Sequence, residues 1–184
     1  MEIKHVTVSG AGLMGTQIAM QVALHGYQVT TYDVFPAQLE KAKAFADDWF
    51  AKRVQKGKLP AEAAAKAQAA LHYSSDIQEA AGEADLIIDA VPDILKIKIK
   101  SLKALDEYAP AHCIYASNSS YIVSSRFCHA VKDPSHVLNV HFFNPALVMK
   151  IVEVVKGPHV SQDTFDTAFR FVQSIDKTPV KIEK

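Results

Sequence analysis

An α/β fold is predicted for this chain: a doubly wound sheet, mostly parallel, with antiparallel strands toward its C-terminal end. Three observations predict it. Strand-like and helix-like segments alternate almost throughout, with connections long enough for right-handed βαβ crossovers. A glycine-rich turn joins the first strand directly to the first helix. The segment ADLIIDAVP is a continuous apolar run, the pattern of a strand inside a sheet.

The elements follow in order. IKHVTVSG alternates and is rich in β-branched residues, which predicts a strand over 3–9. MGTQIAMQVALHG has a helical pattern, with Gly26 placed to end it. YQVTTYD is a second strand closing on Asp33, and Pro36 opens the helix through LEKAKAFADDWFAKRV. AEAAAKAQAALHY is another helix former, followed by a short strand at 71–74 and a helix start at Asp76. ADLIIDAVP stops at Pro92. ILKIKIKSLKALDEYAP carries strand-like alternation in KIKIK, but its length favours a helix, with KIKIK on the solvated side. HCIYASNSS is a strand entering a polar loop, VLNVHFF and KIVEVV are strands, DTFDTAFRFVQSI is a helix, and TPVKIEK opens a last strand. Residues 1–184 read as one domain without repeats or a low-complexity tail.

Bulk properties exclude several classes of function. Twenty basic residues balance twenty acidic ones, so there is no cationic field for nucleic acid. Cys113 and Cys128 form no C-x-x-C pair and fit a reduced, cytoplasmic protein better than a disulfide-stapled one. The first residues lack the apolar run and cleavage site of a signal peptide. No window approaches the roughly twenty apolar residues of a membrane span, so no membrane partner is expected.

Gly10, Gly12 and Gly15 form G-x-G-x-x-G between a strand and a helix, with Asp33 closing the next strand. That context marks a Rossmann-type dinucleotide site. Gly10 permits the tight turn, Gly12 lets a pyrophosphate approach the backbone, and Gly15 lets the helix pack on the sheet. The helix start through Leu13 and Met14 offers free amides to phosphate. Asp33 accepts from ribose hydroxyls and repels a 2′-phosphate, and VFPAQ supplies no arginine to offset it. NAD is therefore expected over NADP.

The stretch HFFNPALVMKIVEVVKG is mostly apolar yet carries His141 and Glu153. If KIVEVV folds back beside VLNVH, Ile151, Glu153 and Val155 share one face, which predicts a largely dry setting for the carboxylate. An imidazole oriented by that carboxylate makes a general base beside a nicotinamide. A satisfied structural histidine near a solvent-facing glutamate is the competing reading of the same spacing. Ser117, Asn118, Ser119 and Ser120 either cap a following helix or place a hydroxyl and an amide near a reacting oxygen.

GAGLMGTQIA, DAVPDILKIK, ASNSSYI, HFFNPALVMKIVEVVKG and DKTPVKIEK together resemble the N-terminal domain of the L-3-hydroxyacyl-CoA dehydrogenase family. The resemblance runs in register from about residue 3 to the end, and HFFNP with its MKxVEVVxG run is its most specific part. It implies NAD-dependent, reversible oxidation of the 3-hydroxyl of an acyl-CoA thioester. It also implies His141 as the catalytic histidine, Glu153 as its orienting acid, Ser120 on the substrate oxygen and Asn144 near the thioester and nicotinamide. Asp33 then takes the ribose, while Asp93 and Lys98 lie beside the cofactor. Asp93 stands where the family usually has glutamate, and Tyr121 where it has a small residue, which opens the acyl preference to change. The family continues into a helical C-terminal domain that completes the acyl-CoA site and the homodimer, and KTPVKIEK is not followed by one here. The expectation is a domain that binds NAD with little turnover. A dehydrogenase of a small hydroxy acid and a non-catalytic NAD(H)-binding module are the rival readings.

Overall fold

Valine and threonine near the start of the chain build β1 (His5–Ser9), an interior strand of one eight-stranded sheet. The computed structural model describes residues 2–183; Met1 and Lys184, which the sequence assigns to the same domain, lie outside the described residues. From β1 the chain passes through α1 (Leu13–Ala23), β2 (Gln28–Tyr32), α2 (Pro36–Gln55), α3 (Ala61–Ala70) and β3 (Leu71–Ser74). It then crosses to the other side of β1 through α4 (Ile77–Ala81), β4 (Leu86–Asp89), α5 (Leu95–Asp106) and β5 (Ile114–Ser117). β6 (Val137–Phe142), β7 (Ile151–Lys156), α6 (Gln162–Ser174) and β8 (Thr178–Glu183) complete it.

The strand order is β3-β2-β1-β4-β5-β6-β7-β8. Pairing is parallel from β3 to β6, antiparallel between β6 and β7, and parallel again between β7 and β8. The fold class expected from the sequence is therefore observed. The order reverses between β1 and β4, and ligands of open α/β sheets bind outside the carboxyl ends of strands at such a point.

Two apolar clusters cover the two faces, and β4 explains why its sequence is apolar without interruption. Leu86 and Ile88 pack with Val6, Val8, Ile18 and Phe50, whereas Ile87 packs with Leu102, Leu105 and Tyr115. Successive strand side chains point to opposite faces, so a strand with helices on both must be apolar at every position. Burial of each such side chain contributes about 1.5–3 kcal/mol.

Local chemistry sets the helix starts. Pro36 occupies the first turn of α2, the Asp76 carboxylate accepts from the amides of Gln78 (2.8 Å) and Glu79 (3.2 Å), and Ser161 Oγ accepts from Thr164 N (3.1 Å). One of two alternatives is not observed, and one expectation needs correction. No α-helix follows the serine-rich loop after β5; single 3-10 turns occupy Ser124–Arg126, Cys128–Ala130 and Pro134–His136. Ser119 Oγ accepts from Ile122 N (3.0 Å) and Asn139 Oδ1 from Ser124 N (2.7 Å), so side chains take up amides that a helix start would offer. KIKIK is helical, but Lys98 within it is buried rather than solvated.

Candidate active site at the carboxyl ends of the strands

Gly10 takes φ 105°, and a Cβ there would lie 2.7 Å from the Ala90 carbonyl oxygen. At Gly15 a Cβ would sit 1.8 Å from the Gly10 carbonyl oxygen, so α1 can rest on the turn only without a side chain. Gly12 differs, because a Cβ there would meet nothing within 4 Å. It marks open space at the start of α1, where no side chain caps the helix and its first turn carries no acid. The amides of Leu13, Met14 and Gly15 lack intrahelical acceptors, and the positive end of the helix faces that space.

Asp33 is tied to the same turn. Its Oδ2 accepts from Ala11 N (2.9 Å) and its Oδ1 from Phe35 N (3.0 Å), leaving a half-buried carboxylate with lone pairs to spare. An anion-binding helix start beside a fixed carboxylate fits a dinucleotide whose ribose is not phosphorylated. Val34 and Phe35, exposed immediately after Asp33, offer an apolar surface there that the sequence reading passed over. Its signal was the pair of apolar residues following the acid.

Between β4 and β5 lies a buried polar network. Asp89 Oδ2 accepts from Lys98 Nζ (2.9 Å) and Ser117 Oγ (2.8 Å), and Asp89 Oδ1 from Val91 N (3.2 Å). Lys98 also reaches Asp93 Oδ1 (3.0 Å) and the Val91 carbonyl (3.4 Å), with its side chain only 1% exposed. Asp89 was not singled out from the sequence; the acid ending the apolar run LIID was the available signal. Tyr121 is 66% exposed, and its hydroxyl donates to the Asp93 carbonyl (2.7 Å), joining the loops that follow β4 and β5.

The antiparallel register places His141 directly opposite Glu153. Their side chains meet, with Nδ1 and Oε2 2.9 Å apart. A carboxylate can only accept, so Nδ1 carries the hydrogen and Nε2 of a neutral ring keeps a lone pair. Phe143 packs on the imidazole at 4.6 Å between centroids. The dry face expected around Glu153 is only half present. Val155 is buried, but Ile151 is 47% exposed because it begins β7 at the open end of the sheet. The side chains of His141 and Glu153 keep 17% and 31% of their surface.

Ser120 and Asn144 are exposed on the loops leaving β5 and β6. Those strands are parallel neighbours, so both loops emerge at the same sheet end. Neither side chain bonds to His141 among the described residues. The loop after β5 is organised by two asparagines whose placement the sequence did not foretell. Asn118 Oδ1 accepts from Phe142 N (2.8 Å), and the buried Asn139 donates to the Ile122 (2.9 Å) and Ser119 (3.3 Å) carbonyls. A polar residue inside VLNVH was the signal for the second. Cys113 and Cys128 are free thiols, and among the described residues no helix is long and apolar enough to cross a membrane.

Residues 5–184 match the family model for the NAD binding domain of 3-hydroxyacyl-CoA dehydrogenase. Over 183 residues the chain is 35% identical to the mitochondrial hydroxyacyl-coenzyme A dehydrogenase of Homo sapiens, covering 97% of this chain and 58% of that protein. It is 33% identical over 182 residues to a probable 3-hydroxybutyryl-CoA dehydrogenase of Bacillus subtilis (strain 168), covering 99% and 63%. The crystal structure of 3-hydroxybutyryl-CoA dehydrogenase from Escherichia coli K12 superposes with a TM-score of 0.96 at 34% identity, over all of this chain and 39% of that one. The chain thus spans about three-fifths of the length of the first two relatives.

Proposed function

The chain belongs to the 3-hydroxyacyl-CoA dehydrogenase family as its NAD-binding domain, and on that premise we propose that it serves the reversible oxidation of an L-3-hydroxyacyl-CoA to the 3-ketoacyl-CoA. The observation that carries this reading is the His141–Glu153 pair, joined at 2.9 Å where β6 reaches the crevice end of the sheet. In this reading His141 Nε2 removes the hydroxyl proton. Glu153 holds the Nδ1 hydrogen, keeps the ring in the needed tautomer and stabilises the imidazolium that forms. Ser120 donates to the substrate oxygen, and Asn144 attends the thioester. NAD held by the glycine turn and Asp33 would supply the hydride acceptor for the carbon that bears the hydroxyl.

Residues 1–184 act as one cofactor-binding unit. Gly10 shapes the turn, the backbone amides of Gly12, Leu13, Met14 and Gly15 hold the pyrophosphate, and Asp33 takes the ribose hydroxyls. Asp93 and Lys98 border the nicotinamide side. The substrate partner is an acyl-CoA thioester, the full-length protein is a homodimer, and the compartment is cytoplasmic. Val148, Met149, Ile151 and Val180 are exposed, on the loop and strands that carry and flank the pair. Water therefore reaches the reacting groups, and turnover by this chain alone should be weak.

Oxidation of NADH with a 3-ketoacyl-CoA, followed by absorbance, tests the reading. His141→Gln should lower kcat by about 100-fold or more while NADH affinity stays within about twofold. Equal rates for wild type and H141Q would refute it. Normal NADH binding with residual rates that His141→Ala leaves unchanged on every substrate would favour a non-catalytic binding module instead.

A further inference from the structure

Lys177 is a buried cation for which the chemistry above has no task. It is 6% exposed. The end of α6 sends it inward. Asp176 takes φ 57°, its N–H reaches the Gln173 carbonyl, and the Lys177 N–H reaches that of Val172. This pair of hydrogen bonds closes a helix and reverses the chain. Lys177 Nζ then donates to the carbonyls of Ala146 (2.6 Å) and Met149 (2.8 Å), in the loop 143–150 that joins β6 to β7.

No carboxylate pairs with this ammonium among the described residues, because the neighbouring Asp176 carboxylate is engaged by Lys150. Burial and the charge of Lys150 hold its pKa below the ordinary lysine value, with Asp176 opposing them. A cation kept there despite those costs answers the two carbonyls it meets. The loop's own bonds are few: Val148 N and Met149 N both reach the Pro145 carbonyl (2.9 Å each), and Leu147 N reaches Gln17 Oε1 at 3.4 Å. Thr178 N closes its far end on the Lys150 carbonyl (2.7 Å).

We propose that Lys177 is a positioning residue, whose ammonium fixes the loop 143–150 and thereby the placement of Asn144 beside the His141–Glu153 pair. The contacts stand by themselves; the catalytic meaning of Asn144 rests on the functional reading above.

Lys177→Met keeps the length and apolar stem and removes the donors. Lys43→Ala, which breaks only an exposed pair with Asp47 on α2, serves as control. In K177M, amide hydrogen exchange at Val148 and Met149 should rise by about tenfold or more, while exchange in β1 and β4 is retained. The Asn144 side-chain amide and His141 ring nitrogen signals should shift in NMR spectra, with NADH affinity held within about twofold. K43A should leave all of these as in wild type. Unchanged loop exchange and unchanged signals in folded K177M would overturn the proposal. So would a uniform rise in exchange across the sheet without a local change at Asn144. If K177M does not fold, Lys177→Gln, whose amide can donate to one carbonyl, is measured the same way. Faster loop exchange then supports the proposal, and wild-type exchange overturns it. Failure of the functional reading looks different: H141Q would leave turnover intact while these signals still moved in K177M.

Discussion

Gly12 and Gly15 are three residues apart and answer to different constraints. A methyl at Gly15 would collide with the Gly10 carbonyl, and backbone cannot yield as a side chain can. Gly15→Ala should destabilise the fold by about 3 kcal/mol or more, as overpacking at a close backbone contact does. A methyl at Gly12 meets only open space, and its φ of −72° suits any residue. Gly12→Ala should cost about 1 kcal/mol or less, the loss of a glycine N-cap. It should nevertheless weaken NADH binding by about tenfold or more if that space receives the pyrophosphate. Urea denaturation and NADH fluorescence titration of both variants separate the two effects. Wild-type NADH affinity in G12A would remove the phosphate from this position.

At the scale of elements, two polar anchors hold β4 in register with its surroundings. At its carboxyl end, Lys98 satisfies Asp89 where both are almost wholly buried. Lys98→Met leaves that carboxylate without its cation and should cost about 3–5 kcal/mol in urea denaturation. Lys96→Met, on the exposed side of the same helix, should change stability by about 0.5 kcal/mol or less. Just before β4 begins, Asp85 accepts from Lys4 N (2.8 Å), His5 N (3.0 Å) and His112 Nε2 (2.8 Å). Burial pushes its pKa up, but these bonds together bring it below the ordinary carboxylate value. The folded state therefore favours the ionised form. The resulting stability is present above the ordinary carboxylate value and is lost as pH falls through the depressed one. Asp85→Asn should cost about 2 kcal/mol at neutral pH, with the difference from wild type closing in acid. A gap that stays constant down to acid pH would show that Asp85 is not held ionised by these contacts.

At the scale of the whole molecule, cofactor binding and folding are linked, because the proposed site, made of the glycine turn, Asp33 and the β4 loop, forms only when the sheet is assembled. NADH at about 100 times its Kd should raise the unfolding free energy by about 2.7 kcal/mol. NADPH at the same concentration should add far less, because Asp33 repels a 2′-phosphate. Denaturation with each cofactor measures both, and equal stabilisation would contradict the role of Asp33.

Much of this architecture was legible in the chain because it rests on local rules. Strand and helix periods, the Pro36 and Asp76 helix starts and the glycine turn depend on neighbours within a few residues, so the doubly wound fold could be drawn from them. His141 and Glu153 stood out as polar residues in an apolar stretch, and the family resemblance carried by HFFNP and the VEVV run implied their roles. What escaped prediction depends on partners far apart in sequence. Lys98 looked solvated beside its own neighbours and is buried only because Asp89 and Asp93 surround it. The serine loop seemed ready to cap a helix until Asn139, from another strand, took its backbone groups. The sequence by itself determined the sheet, the cofactor turn and the identity of the acid–imidazole pair. Tertiary structure alone decided the exact register that sets Glu153 against His141, and which charges are buried. Register and burial belong to packed surfaces, and local propensity carries no information about them.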